Sequence, residues 1–355
     1  MKEQSINTAH AETLIGLVEQ YSPSGQEKAA VDWLVARMAA LGFTRAFRDE
    51  AGNAVGVLGN GPKQIVLLGH IDTVPGEIKP HVDGDSFYGR GSVDAKGPLA
   101  CFTDVAAAVG PLAGWQLVVV GAVEEERDSE GARFAAGSYR PQFAIIGEPN
   151  RWDRVALGYK GSAWVSLTVR RALAHTAGRQ ESACEAAVLA WQAMQDWAVD
   201  FNDGRQRAFE QLMLTLRGME SGSDGFMEWA RLRIGARLPL DLAPQAWYAR
   251  VDELAVGAQV ERLGFPLPAY QCEKNTPLVR AFLTGIRAAG GTPNFVYKTG
   301  TADLNIVAPA WGCPALVYGP GDSALDHTPD EHISLEEYGK SVSVLTAALR
   351  ALTAG

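Results

Sequence analysis

LLGHIDTVPG, residues 67–76, closes an apolar run that starts at Ile65 and passes through a glycine into His70, with Asp72 two positions on. Four apolar residues in succession, 65–68, describe a short strand buried on both faces, the kind found in parallel sheets. A histidine and an acid beyond its carboxyl end sit where open α/β sheets collect ligands. Two readings fit this pair alone. His70 is either a half-buried imidazole satisfied by the neighbouring acid, or a metal ligand whose second ring nitrogen is held by Asp72.

Strand-like runs recur at 54–58, 117–123, 143–146 and 315–318. Apolar residues at helical spacing run through 11–19 and 26–41, the latter behind the turn-and-cap sequence SPSGQEK. Further helical patterns follow Gly97 (PLACFTDVAAAV) and surround Ala132. This alternation predicts an α/β domain, with a mostly parallel twisted sheet flanked by helices. From 159 to 267 the rhythm changes to strand (SAWVSLTVR), helix (ESACEAAVLAWQAMQDWA), two strands (211–217 and 227–237) and a further helix (PQAWYARVDELAV), a small α+β insert. KNTPLVRAFLTGIRAAG then resumes the first rhythm. The expected organisation is 1–158 and 268–355 for the larger domain, and 159–267 for the insert.

A chain of 355 residues is long enough for two domains. Its 47% hydrophobic and 21% charged residues are those of a globular protein. The longest apolar run, around 117–123, is far too short for a membrane span. MKEQSINTAHAETL lacks the basic-then-apolar pattern of a secretory signal, so a cytoplasmic location without membrane association is expected. Four scattered cysteines without a CxxC pair fit a reducing compartment and argue against a thiolate zinc site. A net charge of −9 disfavours nucleic acid as a partner.

The remaining acids and histidines fall at the predicted strand ends. Glu124, Glu125 and Glu126 follow the strand at 117–123, and Glu148 follows 143–146. Asp94 lies in the glycine-rich GRGSVDAKGPLA, and His327 in GPGDSALDHTPDEH after the strand at 315–318. Any one of these is equally a helix cap or a solvated loop charge. Taken with His70, the set is what two divalent ions need when they share one carboxylate and keep positions open for water.

The array GHIDTVP, GRGSVDAKG, VEEERDSEGAR, IGEP, GYKG, HTA and GPGDSALDHTPDEH resembles the M20 zinc aminoacylase and peptidase family, in order over nearly the whole chain. The resemblance implies a zinc-peptidase catalytic domain with an inserted ferredoxin-like lid and dimerisation domain. It implies two Zn2+ per subunit, with Co2+ as a workable substitute. His70, Asp94 and Glu148 would hold one ion, and Asp94, Glu126 and His327 the other, with Asp94 bridging. Asp72 would orient His70, and a cis peptide would follow Asp94. Counting back from Gly131 makes Glu125 the general base and Glu126 the ligand, whereas a deletion in that loop moves these roles to Glu124 and Glu125.

His175, in RRALAHTAGRQ, matches the histidine that the family's insert contributes to the partner subunit's active site, which implies a homodimer; it is otherwise an exposed loop histidine. KTGTADLN resembles the family's substrate loop, so Lys298, Thr299, Gly300 and Thr301 are candidates for binding a carboxylate, although the stretch is equally a plain turn. Lys298, Lys160 and Arg133 are candidates for meeting acidic groups. His10 and His81 read as solvated and His332 as structural. Within the family, VGAVEEE, LGYKG and KTGTADLN are most similar to members that release lysine or ornithine from the acidic carrier protein LysW. The alternatives are a deacylase of N-acetylornithine or N-acetyl-lysine and, in another class, a metal-binding scaffold without activity.

Overall fold

The strand that the opening stretch announces is Lys63–His70 in the computed structural model, which describes residues 11–178 and 180–354. His10 lies outside the described residues. The chain divides into two units, one of 1–158, 272–296 and 302–355, the other of 159–271 and 297–301. The second unit therefore takes in 268–271 and 297–301, which the sequence assigns to the larger domain.

In the first unit the large sheet runs Arg45–Arg48, Ala54–Leu58, Trp115–Ala122, Lys63–His70, Phe143–Gly147, Ala315–Val317, Arg154–Tyr159. Its centre is parallel: Lys63–His70 pairs in parallel with Trp115–Ala122 and with Phe143–Gly147, which pairs in parallel with Ala315–Val317. The flanking strands pair antiparallel. Ile65, Val66, Leu67 and Leu68 are fully buried, each worth about 1.5–3 kcal/mol of burial. Helices Lys96–Val109, Pro277–Ala288 and Leu335–Thr353 pack together in this unit. The four parallel strands all end at the same edge, because a parallel register puts every carboxyl end on one side. His332 is a strand residue whose ring lies tilted against Tyr88, which stacks in turn on the exposed His81.

The second unit has the order strand, helix, strand, strand, helix, strand, and its sheet is arranged Met213–Ser223, Met227–Leu238, Gly161–Ala172, Ala258–Leu267, antiparallel throughout. This is the ferredoxin-like arrangement. Alternation in Gly161–Ala172 sends Ala163, Val165, Leu167 and Val169 to the core, where Met194 and Trp247 of the two helices join them. Ser182 and Glu185 cap the first helix reciprocally. The sequence does not announce the fourth strand, Ala258–Leu267. It is an edge strand with a register break between Leu263 and Leu267, so its apolar alternation is short and interrupted.

Candidate metal centre

The parallel edge of the first unit collects the predicted residues. His70, 1% exposed, ends its strand with Nε2 3.1 Å from Asp94 Oδ1. His327 Nε2 lies 3.0 Å from Asp94 Oδ2 and 2.8 Å from Glu126 Oε1. Ligand atoms of His70, Asp94 and Glu148 lie within 4.8 Å of one another, and so do those of Asp94, Glu126 and His327. Asp94 belongs to both groups, through different oxygens toward the two histidines. Imidazole nitrogens and carboxylate oxygens without thiolates are a donor set that Zn2+ accepts, with positions to spare for water. The peptide between Asp94 and Ala95 is cis.

Asp72 holds more than the imidazole. Its carboxylate is 3.5 Å from His70 Nδ1, which lies closer, 3.0 Å, to the main-chain oxygen of Asp72. The carboxylate instead accepts the N–H of Glu125 at 3.0 Å, the N–H of Glu126 at 3.1 Å and the Ser24 hydroxyl at 2.7 Å. It thus ties the strand that delivers His70 to the backbone of the glutamate turn. Ser24, in SPSGQEK, carries no signal of this beyond being a hydroxyl in a turn.

The glutamates face different surroundings. Glu124 has a left-handed backbone (φ 62°), and its Oε1 lies 3.9 Å from Arg127 Nη1, away from the histidines. Glu125 and Glu126 both come within ligand distance of His70, and Glu126 alone joins Asp94 and His327. Glu126 is thus the glutamate that shares one possible ion position with Asp94 and His327.

The electrostatics are those of crowded acids. Burial pushes Glu125 and Glu148 well above the usual carboxylate range, with His70 opposing and their acidic neighbours adding to the shift. Burial acts the same way on Asp94, but hydrogen bonds from His327 and His70 outweigh it and hold its carboxyl low. His327 is raised to about 10 by Asp94 and Glu126. Asp303, 1% exposed at the start of helix Leu304–Trp311, is raised to about 7 by burial and by Asp72, against the pull of His70. Its charge bears on Glu125 and Glu148, and no motif marked it beyond following the substrate-loop candidates. A buried cluster of this kind needs protons or a cation to offset it.

His175, Lys298, Thr299, Gly300 and Thr301 belong to the second unit. His175 is exposed in the loop after Gly161–Ala172, its Nδ1 accepting the Ala177 N–H at 3.1 Å. Thr301 Oγ1 accepts from Arg237, and Lys298 offers its carbonyl to the Lys160 N–H. Lys160 lies in the second unit as well. Its side chain is fully buried and its ammonium donates to the carbonyls of Ala208, Phe209 and Gln211. A lone lysine in sequence gives no sign of being enclosed by main chain.

The profile of peptidase family M20/M25/M40 matches residues 66–351. The chain belongs to that family. A relative from Deinococcus radiodurans named LysW-lysine hydrolase is 44% identical over 343 residues, covering 94% of each chain. A protein of Thermococcus kodakarensis, provisionally named LysW-lysine/LysW-ornithine hydrolase, is 38% identical over 343 residues, 96% of this chain and 91% of its own. A tripeptidase from Staphylococcus aureus shares the fold at TM-score 0.80 and 19% identity, covering 98% of both chains. A dinuclear metal-binding M20 peptidase from Bacillus subtilis does so at TM-score 0.72 and 14% identity, again covering 98% of both. This M20 chain is accordingly a hydrolase of amide bonds. Among the described residues no helix is long and apolar enough to cross a membrane.

Proposed function

We propose that this M20 chain hydrolyses the γ-glutamyl amide that joins lysine, and also ornithine, to the carboxy-terminus of the carrier protein LysW, the last step of lysine biosynthesis. The observation that carries the reading is the relative named LysW-lysine hydrolase, 44% identical over 94% of both chains. The clustering of His70, Asp94, Glu126, Glu148 and His327 with Glu125 in one unit supports it, because a silent scaffold has no need of a base beside its ligands.

His70, Asp94 and Glu148 would hold one Zn2+, and Asp94, Glu126 and His327 the other. Bound there, the ions would supply Lewis acidity, polarising the amide carbonyl and acidifying the attacking water. Glu125 takes the proton of that water on its carboxylate and delivers it to the leaving amine of lysine. Asp72 keeps Glu125 in reach by holding its N–H. His175, presented by the second unit of the partner subunit in a homodimer, would donate to the developing oxyanion. Thr299, Gly300 and Thr301 would meet the lysine carboxylate, with Lys298 beside them. The reading places the enzyme in the cytoplasm, in keeping with four free cysteines.

The test is hydrolysis of LysW-γ-lysine and N-acetyl-lysine, side by side, by zinc-loaded protein, with Glu125→Gln as the blank. Preference for the carrier-linked amide, abolished in Glu125→Gln, is the expected result. Faster turnover of the small amide makes the chain an acyl-amino-acid deacylase instead, and zinc binding without hydrolysis of either makes it a scaffold.

A further inference from the structure

Four residues beyond His327, in the sequence DEH, Glu331 is completely buried. Its Oε2 accepts from Arg90 Nη1 at 2.8 Å. Its Oε1 accepts three main-chain N–H groups, from Gly91 at 2.9 Å, Val93 at 3.0 Å and Asp94 at 3.1 Å. Its own carbonyl accepts the Gly89 N–H at 3.3 Å. Arg90, also buried, donates through Nε to the Gly76 carbonyl at 2.9 Å, so the ion pair is itself anchored.

The chain at 89–95 is neither helix nor strand, so its inward N–H groups have no ladder to join and need another acceptor. An ionised carboxylate offers enough lone pairs to take all three together with a guanidinium, and no other side chain does. The acceptor comes from the segment that carries His327. One buried side chain thus joins the loop bearing Asp94 to the loop bearing His327, whose Oδ2 and Nε2 are 3.0 Å apart.

We infer that Glu331 is a positioning residue for the metal centre, holding Asp94 and His327 at the separation at which one ion can bind both. The inference rests on the reading of those two residues as ligands, and on nothing about the substrate. Outer partners of this kind typically change metal affinity about 10–100-fold when removed.

Glu331→Gln keeps the size and one acceptor, but turns an NH2 group toward Arg90 or the loop N–H groups. Zn2+ affinity is read by competition with a chromophoric chelator, without substrate, and the site geometry by the visible spectrum of the Co2+ form. Asp104→Asn is the control for stability alone, since that acid is bound by Thr13 and Tyr338. The expected result is a loss of about 10–100-fold in Zn2+ affinity and an altered Co2+ spectrum in Glu331→Gln, with neither in Asp104→Asn. Wild-type affinity in Glu331→Gln, or a loss no larger than that of Asp104→Asn, overturns the inference. If Glu331→Gln does not fold, Arg90→Gln carries the test: weaker Zn2+ binding supports the role, and unchanged binding overturns it. Wild-type protein that binds neither ion removes the ligand reading and this inference together. Failure to cleave the LysW amide, with the affinity loss intact, removes only the proposed substrate.

Discussion

Replacing Asp72 by asparagine should separate the two duties of that carboxylate. Oδ1 takes the Glu125 N–H at 3.0 Å, while Oδ2 takes the Glu126 N–H at 3.1 Å and the Ser24 hydroxyl at 2.7 Å. An amide of the same shape has one acceptor oxygen. Whichever way the new side chain lies, its NH2 group faces a main-chain N–H. With Asp72 0% exposed, water does not replace the lost acceptor. A buried donor left without a partner costs about 1–3 kcal/mol. Urea denaturation of chelator-treated protein should therefore show Asp72→Asn less stable by about that amount. The same N–H positions the proposed base, and a displacement of the order of 1 Å lowers turnover by about 10²-fold. Hydrolysis of LysW-γ-lysine should accordingly lose kcat rather than gain KM. Equal stability and an undiminished kcat in Asp72→Asn would refute the clamp and leave Asp72 as a partner of His70 alone.

Three further outcomes are expected. Glu126→Ala should lose one of two Zn2+ equivalents by metal analysis after dialysis, while Glu125→Ala keeps both; the reverse pattern would move the glutamate register back by one. Lys160, whose pKa burial lowers from 10.5 to about 8, should make stability rise with pH between about 8 and 10.5, where the unfolded chain holds the extra proton. Comparing urea midpoints of wild type and Lys160→Met at pH 7 and pH 10 reads this, and parallel profiles would contradict it. At Gly97 an added Cβ would stand 2.3 Å from the Ser92 carbonyl oxygen and 3.1 Å from Ile333 Cδ1, so Gly97→Ala should lose about 1–3 kcal/mol in the same assay. An unchanged midpoint there would mean that the loop before Asp94 yields freely.

Much of the molecule is legible from residue order. Ile65 to Leu68 followed by Gly-His states a buried strand with a polar end, because both signals lie within a few residues. The same holds for the strand ends before Glu124 and Glu148, and for the insert's first strand, whose period-two alternation names its core side. Family likeness adds an expected grouping of ligands, and the cis peptide that the structure shows, neither of which local pattern can reach. Ala258–Leu267 escaped notice because an edge strand buries little and needs no clean alternation.

What only the tertiary structure decided concerns partners distant in the chain. Glu126 and His327 meet across 201 residues, and Asp94 and Glu331 across 237. The order of the parallel strands sets these meetings, and no periodicity encodes it. Lys160 looks like a surface cation until three carbonyls enclose it, and Asp72 looks like a partner of His70 until the glutamate turn closes over its oxygens. Sequence determines which groups can donate and accept, and where each strand must end. Burial determines which of those groups lose water and must find one another, and burial is a property of the whole fold.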